Sequence, residues 1–164
     1  MSERAWIRGA QRGSAADLER LFREHWPRAF RAARLVTGDA AAAEDIAQEA
    51  FIAAIRNLDR FDRRRLFAPW LHRIVVNRAI DWTRARKLRA EVELGDVAAA
   101  AAPDRESDQM LSGISELSPE HRAVIVLRYV LEYTPGEIAT LLELPRGTVN
   151  SRLRRGLDKL KELE

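Results

Sequence analysis

Apolar residues recur every three or four positions along most of the chain, and this spacing predicts an all-α protein. Strand-like alternation is almost absent, and residues that favour helices, above all Ala, Leu, Arg and Glu, dominate the composition. Residues 1–13 form a polar lead. A first helix is expected from Ser14 to Gly38, in which Pro27 predicts a kink or a local break. Further helices are predicted over residues 40–57, 66–89 and, as a group of three, 118–161.

The most specific local pattern lies near the end of the chain. Thr134, Pro135 and Glu137 have the spacing of a capping box, with a hydroxyl at the N-cap, proline at the first helical position and a carboxylate at the third. A short helix follows and is interrupted before Pro145, because proline disfavours helix in the residue before it. The second helix completes a predicted helix-turn-helix. Its inner face is expected to carry Val149, Leu153, Leu157 and Leu160.

The outer face of that second helix is basic. Between Pro145 and Lys161 six Lys or Arg residues stand against one acid, Asp158. A helix can read the major groove only when side chains near its start reach base edges and cations contact the neighbouring phosphates. A solvated basic face on an ordinary helical hairpin is the alternative. The predicted DNA-reading residues are Arg146, Thr148, Asn150, Ser151, Arg154 and Arg155.

A different kind of surface is predicted on the helix over residues 40–57. One side of this helix is acidic but contains an isoleucine, which is typical of a partner surface, whereas the charges alone favour a solvated face. That side is predicted to present Asp45, Gln48, Glu49, Ile52 and Arg56. The buried stripe is expected to contain Ile46, Ala47, Ala50, Phe51, Ala54, Ile55 and Leu58.

The segment from Asn57 to Arg89 combines basic and aromatic residues. Residues 57–65 form a predicted loop that contains Phe61, and nine Lys or Arg residues stand against one acid over residues 63–89. Cations that follow a phosphate backbone, interleaved with rings that hold bases, suit single-stranded nucleic acid. In the alternative, the tryptophans are core residues and the arginines are solvated. We expect Trp70 to be a core residue, and for Trp82 both interpretations stay open.

An acidic stretch separates the two halves of the chain. Over residues 91–110 six acids stand against one base, and the alanine run there has no usable hydrophobic face. We therefore predict two small helical domains, residues 1–90 and 112–164, joined by a flexible acidic linker over residues 91–111. The linker either folds back on the basic faces or acts as a solvated spacer.

Composition narrows the classes of function. The chain has 164 residues, a net charge of +3 and a pI near 9.8, so charge points to nucleic acid only through its placement. It has no cysteine, no glycine-rich phosphate loop and three scattered histidines, so we predict neither an enzyme nor a metal or cofactor site. No apolar run reaches membrane-spanning length and no signal-peptide core is present, which predicts a cytoplasmic protein without membrane insertion.

Three groups of motifs follow one another in the chain. Residues 45–51 read DIAQEAF, residues 67–81 read FAPWLHRIVVNRAID, and the last group comprises LSPE at 117–120, GEIA at 136–139 and GTVNSR at 147–152. In this order, with a linker between the second and third groups, they resemble the extracytoplasmic-function group of bacterial sigma factors. The resemblance covers nearly the whole chain. It implies a protein that joins core RNA polymerase, recognises the −10 and −35 promoter elements and helps to melt the first.

The resemblance also implies a role for each set of residues. The loop from Asn57 to Leu66 is expected to capture an unstacked base of the non-template strand, and the helix after it to hold that strand and the duplex edge. The implied contacts with core polymerase are Asp45, Gln48, Glu49 and Ile52. The implied contacts with the −10 element are Asn57, Phe61, Arg63, Arg64, Asn77, Arg78, Trp82, Arg84 and Arg86. The implied contacts with the −35 element are Arg146, Thr148, Asn150, Ser151, Arg154 and Arg155.

The expected partners are core RNA polymerase and promoter DNA, both as duplex and as melted strand. The resemblance also allows for an anti-sigma partner, since members of this group are often held inactive by one. A stand-alone helix-turn-helix regulator is the main alternative, but it gives no role to the acidic strip or to the segment from Asn57 to Arg89. A helical interaction protein without any nucleic-acid role is a second alternative.

Overall fold

The computed structural model describes residues 2–93 and 108–163, and every regular element in those two ranges is helical. A short 3-10 turn, Leu58–Arg60, follows the third helix, and a π-helical segment, Val126–Val130, continues the sixth. The predicted all-α class is therefore confirmed. The α-helices are α1 (Glu3–Gln11), α2 (Ala15–Thr37), α3 (Ala40–Arg56), α4 (Phe67–Val92), α5 (Asp108–Ser115), α6 (Pro119–Ile125), α7 (Pro135–Leu142) and α8 (Arg146–Glu162).

The helices group into an N-terminal lobe, residues 2–93, and a C-terminal lobe, residues 108–163. Most of the predicted linker over residues 91–111 lies outside the described residues. Its described ends are helical, because α4 continues to Val92 and α5 begins at Asp108. The helix-turn-helix occupies α7 and α8 of the C-terminal lobe.

Polar side chains cap the starts of α2, α3 and α7. The side chains of Ser14 and Asp39 accept hydrogen bonds from backbone amides in the first turns of α2 and α3. The capping box of α7 is complete, with 3.2 Å from the Glu137 amide to the Thr134 hydroxyl and 2.9 Å from the Thr134 amide to the Glu137 carboxylate. Gly38 ends α2 in the left-handed conformation, with φ of 69°, as a C-cap glycine does.

Three local features differ from the sequence-based expectations. The polar lead contains a helix, α1, whose Ile7 is buried in the core. The predicted local break at Pro27 is wrong, because α2 runs through it without interruption. Ile55, which the pattern assigns to the buried stripe of α3, is 43% exposed because it lies on the outward edge of that helix beside Ile52.

The core of the N-terminal lobe lies where α2, α3 and α4 pack together. Alanines line much of the contact, and their small side chains let the helices approach closely. Longer apolar residues of α4 fill the space between the other two helices. The fully buried residues of this core include Ala29, Ala32, Ala33, Val36, Ala43, Ala47, Ala50, Leu71, Val75 and Val76.

The C-terminal lobe is built around the contact between α6 and α8. Val149 and Leu153 are buried on the inner face of α8 as predicted, whereas Leu157 and Leu160 are half-buried. Gly156 allows the closest approach, since a Cβ at this position would lie 3.0 Å from Cγ1 of Ile125.

The two lobes pack against each other in the structure. Helix α4 contacts α6 and α7, and α2 contacts α5, α6 and the π-helical segment. The C-terminal lobe therefore lies against the same helix, α4, that carries much of the predicted strand-binding set.

Candidate functional site

The acidic strip of α3, which begins at Asp45 and ends at Ile52, is exposed to solvent. Asp45, Gln48, Glu49 and Ile52 are all exposed, and Ile52 keeps 48% of its surface in solvent. The face behind them is buried against α2 and α4. The strip is therefore accessible from solvent, which both a partner surface and a solvated face require.

An apolar patch that the sequence pattern did not predict extends this strip. Ile55 is exposed on α3, and Phe22 is exposed on α2, with its ring centroid 4.9 Å from that of Phe51. Phe22 stacks in turn on Trp26 at 5.0 Å. The helical spacing of Phe22 and Trp26 could have identified this pair, but their apolar character alone predicts burial rather than display.

The acidic strip also meets the basic helix behind it. Arg78 of α4 donates from Nη1 to Oε2 of Glu49 over 3.0 Å, and both side chains are exposed. Two residues that the sequence assigns to different surfaces are thus joined.

The loop from Asn57 to Leu66 is ordered by hydrogen bonds and by ring packing. Asn57 donates from Nδ2 to the carbonyl of Ala53 over 2.8 Å. Phe61 is only 8% exposed, because its ring packs on Phe67 and Trp70 with centroids 5.8 and 4.7 Å away. In this structure Phe61 therefore forms part of the wall behind the loop.

The tip of the loop is charged. Hydrogen bonds from the side chain and backbone of Arg64 lower the pKa of Asp62. The side chains of Arg63, Arg64 and Arg65 are all exposed. These three cations project from the loop at its outer end. The side chain of Gln11 braces the other end of the loop, donating from Nε2 to the carbonyls of Leu58 at 2.9 Å and Phe61 at 3.3 Å.

The exposed side of α4 carries the rest of the predicted strand-binding set. Asn77 is exposed, and Trp82 is half-buried with the guanidinium of Arg86 5.2 Å from its ring centroid. Arg86 also pairs with Asp39 over 3.3 Å. Arg84 pairs across the lobes with Glu120 at the start of α6. Trp70 contacts the aromatic wall, as expected of a core residue, although it is half-buried.

The predicted DNA-reading residues of α8 lie together on its outer side. Arg146, Asn150, Arg154 and Arg155 are exposed, and Thr148 and Ser151 are half-buried. Within the described ranges, none of these six side chains has a hydrogen-bond or ion-pair partner. The basic face is therefore accessible from solvent.

A cleft separates the loop from α7 of the C-terminal lobe. Arg65, Trp70 and Arg73 line it from the N-terminal lobe, and Tyr133 and Glu137 line it from the other. Helix α7 therefore covers one side of the predicted base-capturing loop. Among the described helices, none is both long and apolar enough to cross a membrane.

Comparison with known proteins divides the chain at the same place as the fold. Residues 21–89 match the family described as Sigma-70 region 2, and residues 113–162 match Sigma-70 region 4. Helix α1 lies outside both matches. Each matched segment coincides with the helices of one lobe.

Individual relatives cover most of the chain. The ECF RNA polymerase sigma factor SigW of Bacillus subtilis is 38% identical over 143 residues, which span 76% of this chain and 76% of that protein. The structure of CnrH in complex with the cytosolic domain of CnrY is 28% identical and covers 98% of this chain and 96% of the other, with a TM-score of 0.76. The fold is also that of the sigma factor RpoE of Bartonella quintana, solved with the anti-sigma factor NepR. That structure is 22% identical and covers 90% of this chain and 96% of the other, with a TM-score of 0.71.

Proposed function

The chain belongs to the extracytoplasmic-function (ECF) sigma factors of RNA polymerase, and we propose on that premise how its two lobes divide the work of promoter recognition. As an alternative sigma factor it binds core RNA polymerase and directs promoter-specific transcription initiation. It is a transcription initiation factor, and we assign it no reaction of its own. Its place of action is the cytoplasm, where bacterial polymerase works.

One observation carries the division of labour. The regions matched to sigma regions 2 and 4 are separate helical lobes, and each lobe presents a different chemical surface to solvent. The N-terminal lobe shows an acidic strip with an apolar residue, followed by a basic, aromatic segment. The C-terminal lobe shows a basic recognition helix.

The strip of α3 is the docking surface for core polymerase. Asp45, Gln48 and Glu49 supply polar and negative contacts, and Ile52 supplies an apolar contact at the centre of an otherwise hydrophilic face. Such a mixture fits a partner surface that is basic and partly apolar. Ile55 and Phe22 extend the apolar part of this surface.

The loop and α4 hold the −10 element. Arg63 and Arg64 at the loop tip are placed to attract the phosphates of the non-template strand. Phe61 acts through the aromatic wall that supports the loop rather than by stacking directly on a base. Trp82, with Arg86 over its ring, offers the flat surface on which the duplex edge rests. Asn77, Arg78 and Arg84 complete the contact set, although Arg78 and Arg84 are paired within the protein here.

Helix α8 reads the −35 element in duplex form. Arg146, Thr148 and Asn150 lie in its first turns, where a recognition helix meets base edges. Ser151, Arg154 and Arg155 follow at positions suited to phosphates and to further base edges. Each set of contacts is small, so neither lobe alone binds DNA tightly at physiological salt. Placing both lobes on polymerase raises the effective concentration of each site.

The primary test is run-off transcription by purified core enzyme on a promoter library, with and without the chain, paired with gel-shift assays. We expect specific products only when the chain is present, and weak promoter binding by the free chain that core enzyme rescues. Tight, sequence-specific binding without core enzyme would instead indicate the stand-alone helix-turn-helix regulator.

The docking surface is tested by charge reversal. Asp45→Lys combined with Glu49→Lys should weaken association with core polymerase by about tenfold or more, because like charges would meet at the interface. The double variant also breaks the ion pair between Glu49 and Arg78. Asp45→Lys alone leaves that ion pair intact and should still give part of the loss. Glu24→Lys, an exposed position on α2 of the same lobe, is the matched control and should leave association unchanged. Unchanged association of the double variant would show that the strip is misassigned.

An anti-sigma partner is the expected regulator of this chain. RpoE was solved with an anti-sigma factor and CnrH with the cytosolic domain of CnrY, so the fold accommodates bound protein partners. A pull-down with the chain as bait, followed by competition with core polymerase, would identify such a partner and show whether it covers the docking surface.

A further inference from the structure

The contacts between the two lobes are specific and polar as well as apolar. The central one is a hydrogen bond of 2.7 Å between Nδ1 of His72, in α4, and the hydroxyl of Tyr133, immediately before α7. His72 is 2% exposed and Tyr133 is 9% exposed. These residues are 61 positions apart in sequence, so the bond exists only while the lobes are together.

Breaking this bond would destabilise the arrangement in which the two lobes pack together, called closed below. Nε2 of His72 is buried without a hydrogen-bond partner, so loss of the Tyr133 hydroxyl would leave both ring nitrogens unsatisfied. Within the closed structure the ring of Tyr133 also packs edge-on against His72, with centroids 5.8 Å apart. The pair therefore contributes both a hydrogen bond and ring packing at the centre of the contact between the lobes.

Three further contacts surround this centre. Arg84 pairs with Glu120, and Arg73 pairs with Glu143 at the end of α7. Arg122 of α6 donates from Nη1 to the carbonyl of Val36 at the end of α2, over 3.0 Å. Arg122 is held in place by its own lobe, since it also donates to the carbonyls of Ser115 and Leu117.

These contacts involve residues proposed to bind the −10 element, but none of those proposed to bind the −35 element. Arg84 belongs to the proposed strand-binding set, and its guanidinium is occupied by Glu120. Helix α7 stands across the cleft from the base-capturing loop, with Glu137 facing the same cleft as Arg65. Among the hydrogen bonds and ion pairs of the described residues, none joins a DNA-reading side chain of α8 to the N-terminal lobe.

We infer that His72–Tyr133 and the three contacts around it form an interlobe latch, which holds the free chain in a state that cannot capture the −10 element. The inference rests on the proposed function, since it assigns the blocked surface to promoter melting. Release of the latch frees Arg84 and opens the cleft beside the loop. The −35-reading face is available in both states, so the latch does not block contact with the upstream element.

The chain lends itself to a direct measurement because it contains no cysteine. Arg31 and Leu163 are exposed on opposite lobes and line one cleft, and neither belongs to the proposed binding sets. The Arg31→Cys/Leu163→Cys chain labelled with a donor and an acceptor dye reports lobe separation by energy transfer. The closed chain should give high transfer, and core polymerase should lower it.

The latch is tested by removing single polar groups from this labelled chain. Tyr133→Phe should raise the ratio of open to closed chain about tenfold, because it leaves buried polar atoms unpaired. Glu120→Gln should raise it about two- to fivefold, as expected for a partly exposed ion pair. Tyr129→Phe removes a hydroxyl that is not part of the latch, and Glu19→Gln removes an ion pair within α2, so these controls should change nothing.

Several outcomes would overturn the latch. Low energy transfer in the parent chain would show that the lobes are already apart. Equal transfer in Tyr133→Phe, Glu120→Gln and the controls would show that these contacts do not hold the lobes. Far-ultraviolet circular dichroism of each variant separates lobe opening from loss of folding.

A reversible crosslink tests the functional consequence. A cleavable bis-maleimide across the two introduced cysteines should abolish run-off transcription while the free chain stays folded, and a thiol reductant should restore it. Full transcription by the crosslinked chain would overturn the latch. If the energy-transfer responses appear but the uncrosslinked parent chain gives no run-off product, the contacts hold the lobes together as described and it is the proposed function that fails. The two failures are therefore distinguishable.

Discussion

His72 is an ionisable residue that is only 2% exposed, and side chains buried to this degree are more often apolar. Burial, and after it electrostatic repulsion from His25 and Arg28, lowers the pKa of His72 to about 4. Its faces are closed by Tyr133 from the other lobe and by the core of its own. A neutral imidazole is therefore part of the native state at neutral pH.

The lowered pKa of His72 predicts a stability that depends on pH. Because the unfolded chain binds this proton near pH 6.5 and the folded chain only near 4, stability is full above pH 6.5 and falls as pH drops towards 4. The expected loss from this residue is about 3 kcal/mol over that interval. Urea unfolding midpoints between about pH 4 and 7.5 would measure it.

The same prediction has a local check. In proton NMR, the imidazole of His72 should stay neutral at about pH 5.5, whereas an exposed histidine is largely protonated there. His72→Gln should remove this component of the pH dependence. A midpoint for His72 near 6.5 in the folded chain would show that the buried environment does not act as described.

A positive backbone φ angle can be predicted from the residue type at some positions but not at others. Gly38 is a predicted end of α2 and has a positive φ, because only glycine adopts that conformation without strain. Glu132 and Glu143 also have positive φ, at 63° and 56°, and nothing in their residue type signals it. Their conformation is imposed by the turns on either side of α7.

At the level of elements, the contact between α6 and α8 depends on the absence of a side chain. Gly156 is buried on α8, and a Cβ there would come within 3.0 Å of Ile125. Gly147, near the start of the same helix, has open space where its Cβ would be. Two glycines of one helix thus serve different purposes.

Gly156→Ala and Gly147→Ala should have opposite effects on stability. The first overpacks a tight helix contact and should lower the free energy of unfolding by about 1–3 kcal/mol. The second replaces a poor helix former in open space and should raise it by about 0.5–1 kcal/mol. Guanidinium unfolding of both variants provides the comparison. Equal stabilisation by both would mean that the two helices can separate at no cost.

Capped helices were predictable because their signals are local. Ser14, Asp39 and Thr134 each precede an apolar pattern, and each caps a helix in the structure. Helix α1 and the π-helical segment were missed. Helix α1 offers only Trp6 and Ile7 as apolar markers, and a π-helix has no period that an α-helical pattern reveals. The exposure of Ile55 was missed because its type favours burial on either edge of α3.

At the scale of the whole molecule, promoter affinity is expected to come from two weak, salt-sensitive sites. Arg154→Ala combined with Arg155→Ala should lower the slope of log affinity against log salt by about two for polymerase bound to the chain, because two phosphates would no longer be neutralised. Lys159→Ala is the control on the same helix, since Lys159 pairs with Glu162 near its end. Filter binding at several salt concentrations measures the slope. An unchanged slope would remove these arginines from the DNA interface.

The arrangement of the lobes could not be predicted from sequence. The motifs identify each lobe separately, but the contacts between lobes join residues such as His72 and Tyr133 that carry no mutual signal. The pairing of Arg84 with Glu120 is similarly invisible, because each residue also has an expected place in its own lobe. Sequence patterns describe surfaces, whereas the structure shows which of them face each other.

Gln11, at the end of α1, donates two hydrogen bonds to backbone carbonyls of the loop from Asn57 to Leu66, so α1 supports the loop that is proposed to capture the strand. A bulky fusion or a truncation that unseats this helix would impair DNA unwinding while attachment to the enzyme survives. We therefore expect the first dozen residues, which the family matches leave out, to contribute to promoter melting by holding that loop in place.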